Sequence, residues 1–117
     1  MASKLRIWWI PQIPMSNVFT SEVSSVIEGA KMLRMLAAYD VYQLNNHIKP
    51  DFSNAGGLEQ FDEDEQDWTS WDIEDSWGEY FDKPEEYIEN SADISKEQKD
   101  EWDIFCKSVD KNMEVVK

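Results

Sequence analysis

Carboxylates dominate the reactive inventory of this 117-residue chain: it has 25 acidic side chains but a single histidine, His47, and a single cysteine, Cys106. Asp62-x-Asp64-x-Gln66 looks like the opening of a calcium loop. The geometry of such a loop demands a glycine where Asp67 stands and a bidentate glutamate where Ile73 stands, so the match fails. His47 and Cys106 are too few for a zinc site unless carboxylates complete it. As a nucleophilic pair they are equally weak. Cys106 adjoins Phe105 on a predicted packing helix, and His47 lies in the helix-ending stretch NNHIKP, where local hydrogen bonding is its plainest role. Paired carboxylates of the glycosidase kind arise by chance in so acidic a chain and identify nothing. Gly56–Gly57 is not followed by a helical pattern and so makes no phosphate loop. The expectation is a protein that is not an enzyme and has neither metal nor cofactor.

What remains is surface. The formal charge is −14, and residues 59–86 carry −12 of it, against +1 for residues 1–58 and −3 for residues 87–117. Acidic runs are ordinarily disordered, because they bury too little apolar surface to offset ordering entropy. This one nevertheless contains Phe61, Trp68, Trp71, Trp77, Tyr80 and Phe81. Direct binding of nucleic acid is disfavoured, since phosphate affinity comes from clustered Lys and Arg. An anionic membrane surface is disfavoured for the same reason. The apolar run Ile7–Ile10 ends at Pro11, too short for a signal peptide or a membrane span. A soluble, cytoplasmic protein with a basic or nucleic-acid-binding protein partner is expected.

The elements that must position these residues follow from pattern. KLRIWWIPQIP has strand composition, with Ile7 and Trp9 on one face and Arg6, Trp8 and Ile10 on the other, and Pro11 and Pro14 mark its end or a sheet edge. NVFTSEV, residues 17–23, is a second strand. Ser25 and Glu28 form a capping box before a long helix, Val26 to about Asn46, ended by Asn45, Asn46 and Pro50. Val26, Ala30, Leu33, Ala37, Val41 and Leu44 form its core stripe, and Gly29 permits close packing on a sheet. KPDFSNAGG reads as loop, LEQF as a third strand, residues 62–66 as a polar turn and DWTSWDI as a fourth strand. KPEEYIEN forms a short helix opened by Pro84, and Ser95 with Gln98 caps a last helix reaching about Met113. The fold class is therefore α+β: a small antiparallel β-β-α-β-β sheet packed by one long helix, plus C-terminal helices. Residues 1–117 make a single domain, with the ββαββ core in 1–73 and an acidic connector and helical segment in 74–117.

With the motifs IWWIPQ, YDVYQLNN and IKPDFSNAGGLE in place, followed by Trp68 and Trp71, the chain resembles a family of small phage-encoded proteins described as hypothetical or as superinfection exclusion proteins. The resemblance runs from about Lys4 to Trp71. It implies an accessory role in a phage-infected bacterium, with any membrane-level action depending on a membrane partner. It assigns no role to particular residues.

Two surfaces suit a partner. The first holds Trp77, Tyr80 and Phe81, which have no packing partner in the pattern, with Asp62, Asp64, Asp72, Glu74, Asp75 and Glu79 around them. Contact through the aromatic rings would make the protein an inhibitor or adaptor of a host or defence protein. If strand spacing sets Asp62 with Asp64 and Asp72 with Glu74 at intervals near those of successive phosphates, it would instead mimic a nucleic-acid backbone. The third reading is a solvated face that only maintains solubility. The second surface is the stripe Met32, Met35, Tyr39 and Tyr42, opposite the core stripe of the long helix. It suits a partner or a homodimer, unless the C-terminal segment covers it.

Overall fold

The structure, a computed structural model, describes residues 4–13, 17–48 and 54–113. Pro14 and the KPDFS part of the expected loop KPDFSNAGG, Pro50 included, lie outside the described residues. The elements are β1 (Leu5–Ile10), β2 (Phe19–Val23), α1 (Val26–Asn45), β3 (Ala55–Asp62), β4 (Asp67–Ser70), β5 (Ile73–Glu74), β6 (Tyr80–Phe81), α2 (Pro84–Asn90) and α3 (Lys96–Asp110). The four longer strands form an antiparallel sheet in the order β2-β1-β3-β4. The α+β class and the ββαββ order are as the sequence pattern predicts.

Local signals set the helix limits. The Ser25 hydroxyl accepts the Glu28 amide at 3.0 Å. The Glu28 carboxylate accepts from Ser24 instead of completing the box. At the other end the His47 amide reaches the Leu44 carbonyl and the Ile48 amide the Gln43 carbonyl, with His47 at φ 59°. This is a Schellman closure with histidine in the left-handed position, so His47 serves the helix end through its backbone. Ser95 and Gln98 form the complete capping box of α3. That helix ends at Asp110, before Met113.

Ile7 and Leu58, cross-strand neighbours on β1 and β3, are buried under α1 with Val26, Leu33 and Leu36. A β-carbon on Gly29 would lie 2.8 Å from Leu58 Cδ1, so the glycine sets how closely the helix approaches the sheet. Beyond α1, Ala30 packs with Ile88 of α2, Ile94, and Trp102 and Cys106 of α3. Tyr87 touches both clusters and so joins the sheet side to the helical side. Arg34 fixes α3 to α1: Nε and Nη2 donate to the two Asp110 oxygens at 2.8 Å each, and Nη1 donates to Glu85 at 3.0 Å. The Asp110 fork raises the guanidinium pKa, and Arg34 in turn holds the Asp110 carboxyl below its ordinary range.

Two expectations are corrected. Gly56–Gly57 is not loop but the start of β3, paired with Trp9 and Trp8 across the strands. A β-carbon on Gly56 would lie 2.2 Å from the Trp9 ring and one on Gly57 2.8 Å from Trp8 Nε1, so each indole occupies the space its opposite glycine leaves. DWTSWDI is not one strand. β4 stops at Ser70, and buried Trp71 turns the chain inward to Tyr87, ring centroids 5.6 Å apart. Ile73–Glu74 then pairs with Tyr80–Phe81 in a separate two-stranded sheet.

Candidate functional site: a pinned hairpin presenting Trp77

The hairpin between β5 and β6 is organised by one carboxylate. Asp75 is 6% exposed. Its Oδ1 accepts the amides of Trp77 at 3.0 Å and Glu79 at 2.9 Å, and its Oδ2 accepts the Ser91 hydroxyl at 2.7 Å. Its backbone closes the loop as well, with the Asp75 amide donating to Glu79 O at 2.8 Å and the Gly78 amide to Asp75 O at 2.9 Å. Gly78 takes φ 82°, a conformation natural to glycine. Fully buried Ser91 follows α2, and its hydroxyl also accepts the Asp93 amide at 3.1 Å. Asp93 accepts the Ser76 amide at 3.0 Å and the Ser76 hydroxyl. Asp75–Ser91 and Asp93–Ser76 thus pin the hairpin to the turn after α2. The Ser91 hydrogen bond, helped by the loop amides, holds the Asp75 carboxyl below the ordinary carboxylate range even though burial opposes this.

The pinned loop leaves Trp77 83% exposed and Tyr80 61% exposed. The Tyr80 hydroxyl meets Asp72 Oδ2 at 3.4 Å. Desolvation, and then the charges of Asp72 and Asp82, push its pKa up. Asp72, Glu74, Glu79 and Asp82 are exposed on the same segment. Such a constellation can present a large flat ring and a phenol within a negative rim. Among the described residues no group of three or more His, Cys, Asp or Glu side chains could hold a metal ion. Cys106 is buried among Ala30, Ile88, Ile94 and Trp102, and burial pushes its thiol pKa up.

The structure divides the residues expected at this surface. Trp77, Tyr80, Asp72, Glu74 and Glu79 lie together on the outside. Phe81 does not: it is 5% exposed, 5.6 Å from the Tyr87 ring in the core. Asp75 does not either, because its charge is directed inward to hold the loop. Asp62 and Asp64 belong to a different turn, where Asp62 Oδ1 accepts the Asp64 amide at 2.9 Å and the Glu65 amide at 3.2 Å. Asp64 is thus in the turn and Asp72 in the break after β4, so neither expected acidic pair has continuous strand spacing. Ser76, Ser91 and Asp93 were missed by sequence reasoning. The signal available was the Asp-x-x-Gly spacing of Asp75 and Gly78, which favours a turn.

On the second surface, Met35, Tyr39 and Tyr42 remain exposed beside α3, with Tyr39 and Tyr42 stacked at 6.1 Å. Met32 instead packs partly into the sheet-side core.

No solved structure matches the chain. It is 45% identical over 95 residues to the superinfection exclusion protein of Salmonella phage P22, an alignment spanning 74% of this chain and 91% of that relative. The family model for superinfection exclusion gene product 17 matches residues 4–93. This match extends past Trp71, where the resemblance read from the motifs stops, and takes in the Trp77 hairpin, α2, Ser91 and Asp93. The chain belongs to the phage superinfection exclusion family of gene product 17.

Proposed function

We propose that this protein acts in superinfection exclusion by binding a host or defence protein, and inhibiting or redirecting it, through the Trp77–Tyr80 hairpin. The observation that carries the reading is a tryptophan held almost wholly in water by a loop whose amides are bound to a buried carboxylate. Exposing an indole forgoes favourable burial, and fixing its backbone removes most of the ordering cost of a later contact. Rigid aromatic anchors are the usual sites of concentrated binding energy at interfaces. Asp72, Glu74, Glu79 and Asp82 supply a rim that favours a basic partner surface. No helix among the described residues is long and apolar enough to cross a membrane. In this reading, any membrane location is conferred by the partner.

The test is affinity purification from phage-infected cells at low and high salt, with the wild-type chain and Trp77→Ala, alongside an assay of exclusion. Trp77→Ala is expected to lose the captured protein and the exclusion phenotype while its melting curve stays that of the wild type. Retention of both by Trp77→Ala overturns the reading. Fractionation then places the partner in membrane or cytoplasm. Competition by saturating DNA distinguishes a nucleic-acid-binding target from one recognised by shape.

A further inference from the structure

A different side of the molecule carries a strand edge beside an apolar groove. The β2 strand is a sheet edge, with no strand among the described residues on its outer side. Val23 faces α1, since its Cγ2 lies 3.3 Å from where a Gly29 β-carbon would be, and alternation places Ser21 and Phe19 on that same face. Directly above this edge, a groove is lined by Phe19, Lys31, Met32, Met35, Leu36 and Phe105. It continues through Met35 into a second groove along Tyr39, Tyr42 and Asn112. Among the described residues no carboxylate lines either groove, and Lys31 is the one charged side chain there, although the chain carries a net −14.

Phe19 is 55% exposed, and Met35, Tyr39 and Tyr42 are close to half exposed. With about 150–250 Å² per large side chain, these four leave on the order of 400 Å² of apolar surface in contact with water. That is about half of what each side of a standard interface buries, and it lies against a strand edge unpaired among the described residues, which supplies backbone hydrogen bonds as well.

We propose that this side is a two-fold interface between copies of the chain, formed by antiparallel pairing of β2 with β2 and by α1 packing across the same axis. A register centred on Ser21 is self-complementary. With Ser21 opposite Ser21 of the second copy, Phe19 meets Val23 on the α1 side and Thr20 meets Glu22 on the other. Centring the axis one residue later would set Glu22 against Glu22, which like-charge repulsion disfavours. The small serine at the axis lets the two backbones approach. A copy offering the same two grooves brings apolar surface to apolar surface. None of residues 59–86, which hold −12 of the charge, lines either groove; Phe61 and Trp68 of that segment lie beside Thr20, Ser21 and Glu22 on the other face of the sheet.

Sedimentation equilibrium of the full chain across the micromolar range at 0.15 M salt tests this. A monomer–dimer equilibrium is expected, weakened at least about thirty-fold by Met35→Glu and by Phe19→Glu with an unchanged circular dichroism spectrum. Residues directly opposite in an antiparallel pair have Cα atoms about 4.5–5.5 Å apart, within disulfide reach. Ser21→Cys in a Cys106→Ser background should therefore oxidise to a covalent dimer, whereas Thr20→Cys should not. A chain monomeric at every concentration, with fast-exchanging β2 amides, overturns the proposal and leaves the edge open to a foreign strand. A dimer indifferent to Met35→Glu and without the Ser21→Cys crosslink overturns it as well. Trp77→Ala should leave the dimer intact, so failure here is distinguishable from failure of the hairpin reading.

Discussion

Asp75 accepts two loop amides on one oxygen and a buried hydroxyl on the other, a task that an amide side chain can only half perform. Asp75→Asn is therefore expected to speed hydrogen exchange at the Trp77 and Glu79 amides and to weaken partner binding, leaving the sheet signals in place. The pH dependence has a definite sign. A carboxyl whose folded pKa is depressed contributes stability that is present above its ordinary pKa of about 3.9 and is lost as pH falls through the lower folded value. The Trp77 amide shift in NMR should hold from neutrality down through the ordinary carboxylate range and change only in stronger acid. In Asp75→Asn that acid transition should be absent. At this scale the sequence separated exposed from buried side chains of the hairpin only in part. Trp77 and Tyr80 stand out as large aromatics without a packing partner. Phe81 and Asp75 carry the same residue types as their exposed neighbours, and only their partners Tyr87 and Ser91 separate them. Strand alternation held an unused hint, since adjacent Tyr80 and Phe81 must face opposite ways.

Among the elements, α1 and α3 were legible because caps and periodicity are local in the sequence. The β3 start was not, because a glycine pair reads as a turn until Trp8 and Trp9 are known to lie across from it. Gly56→Ala would push a methyl into the Trp9 ring, which the core holds in place. It is expected to destabilise the fold by about 1–3 kcal/mol, read from the denaturant midpoint. The end of β4 was equally hidden, since alternation in DWTSWDI continues past Ser70 and only burial of Trp71 against Tyr87 breaks the strand. The α3 helix begins beyond the residues that the family model matches, yet it completes the cluster around Ile88. Its attachment rests partly on Arg34, whose fork to Asp110 is partly in solvent. Arg34→Ala should cost on the order of 1 kcal/mol. Because the Asp110 carboxyl is depressed, the difference from wild type should be present at neutral pH and vanish as pH falls through and below the carboxylate range. Chemical denaturation at pH 7 and in acid well below the ordinary carboxylate range checks both statements.

For the whole molecule, the uneven charge and the exposed indole should act on different rate constants. Residues 59–86 concentrate negative charge on the segment that also presents Trp77. At physiological salt, screening confines a charge's influence to about 8 Å, and at tenfold lower ionic strength it extends several times as far. Rim charges of this kind chiefly change how fast a complementary partner arrives, whereas a desolvated anchor chiefly changes how long it stays. Replacing Asp72, Glu74, Glu79 and Asp82 by their amides should therefore slow association about tenfold or more at low salt and flatten its salt dependence, with dissociation little altered. Trp77→Ala should leave association nearly unchanged and accelerate dissociation about thirty-fold or more, as loss of a central aromatic does. Surface plasmon resonance with the captured partner at two ionic strengths separates the two effects. If neutralising the four acids accelerated dissociation as much as removing the indole did, the carboxylates would be direct contacts of a buried interface. The hairpin would then act as a charged clamp instead of an aromatic anchor with a steering rim.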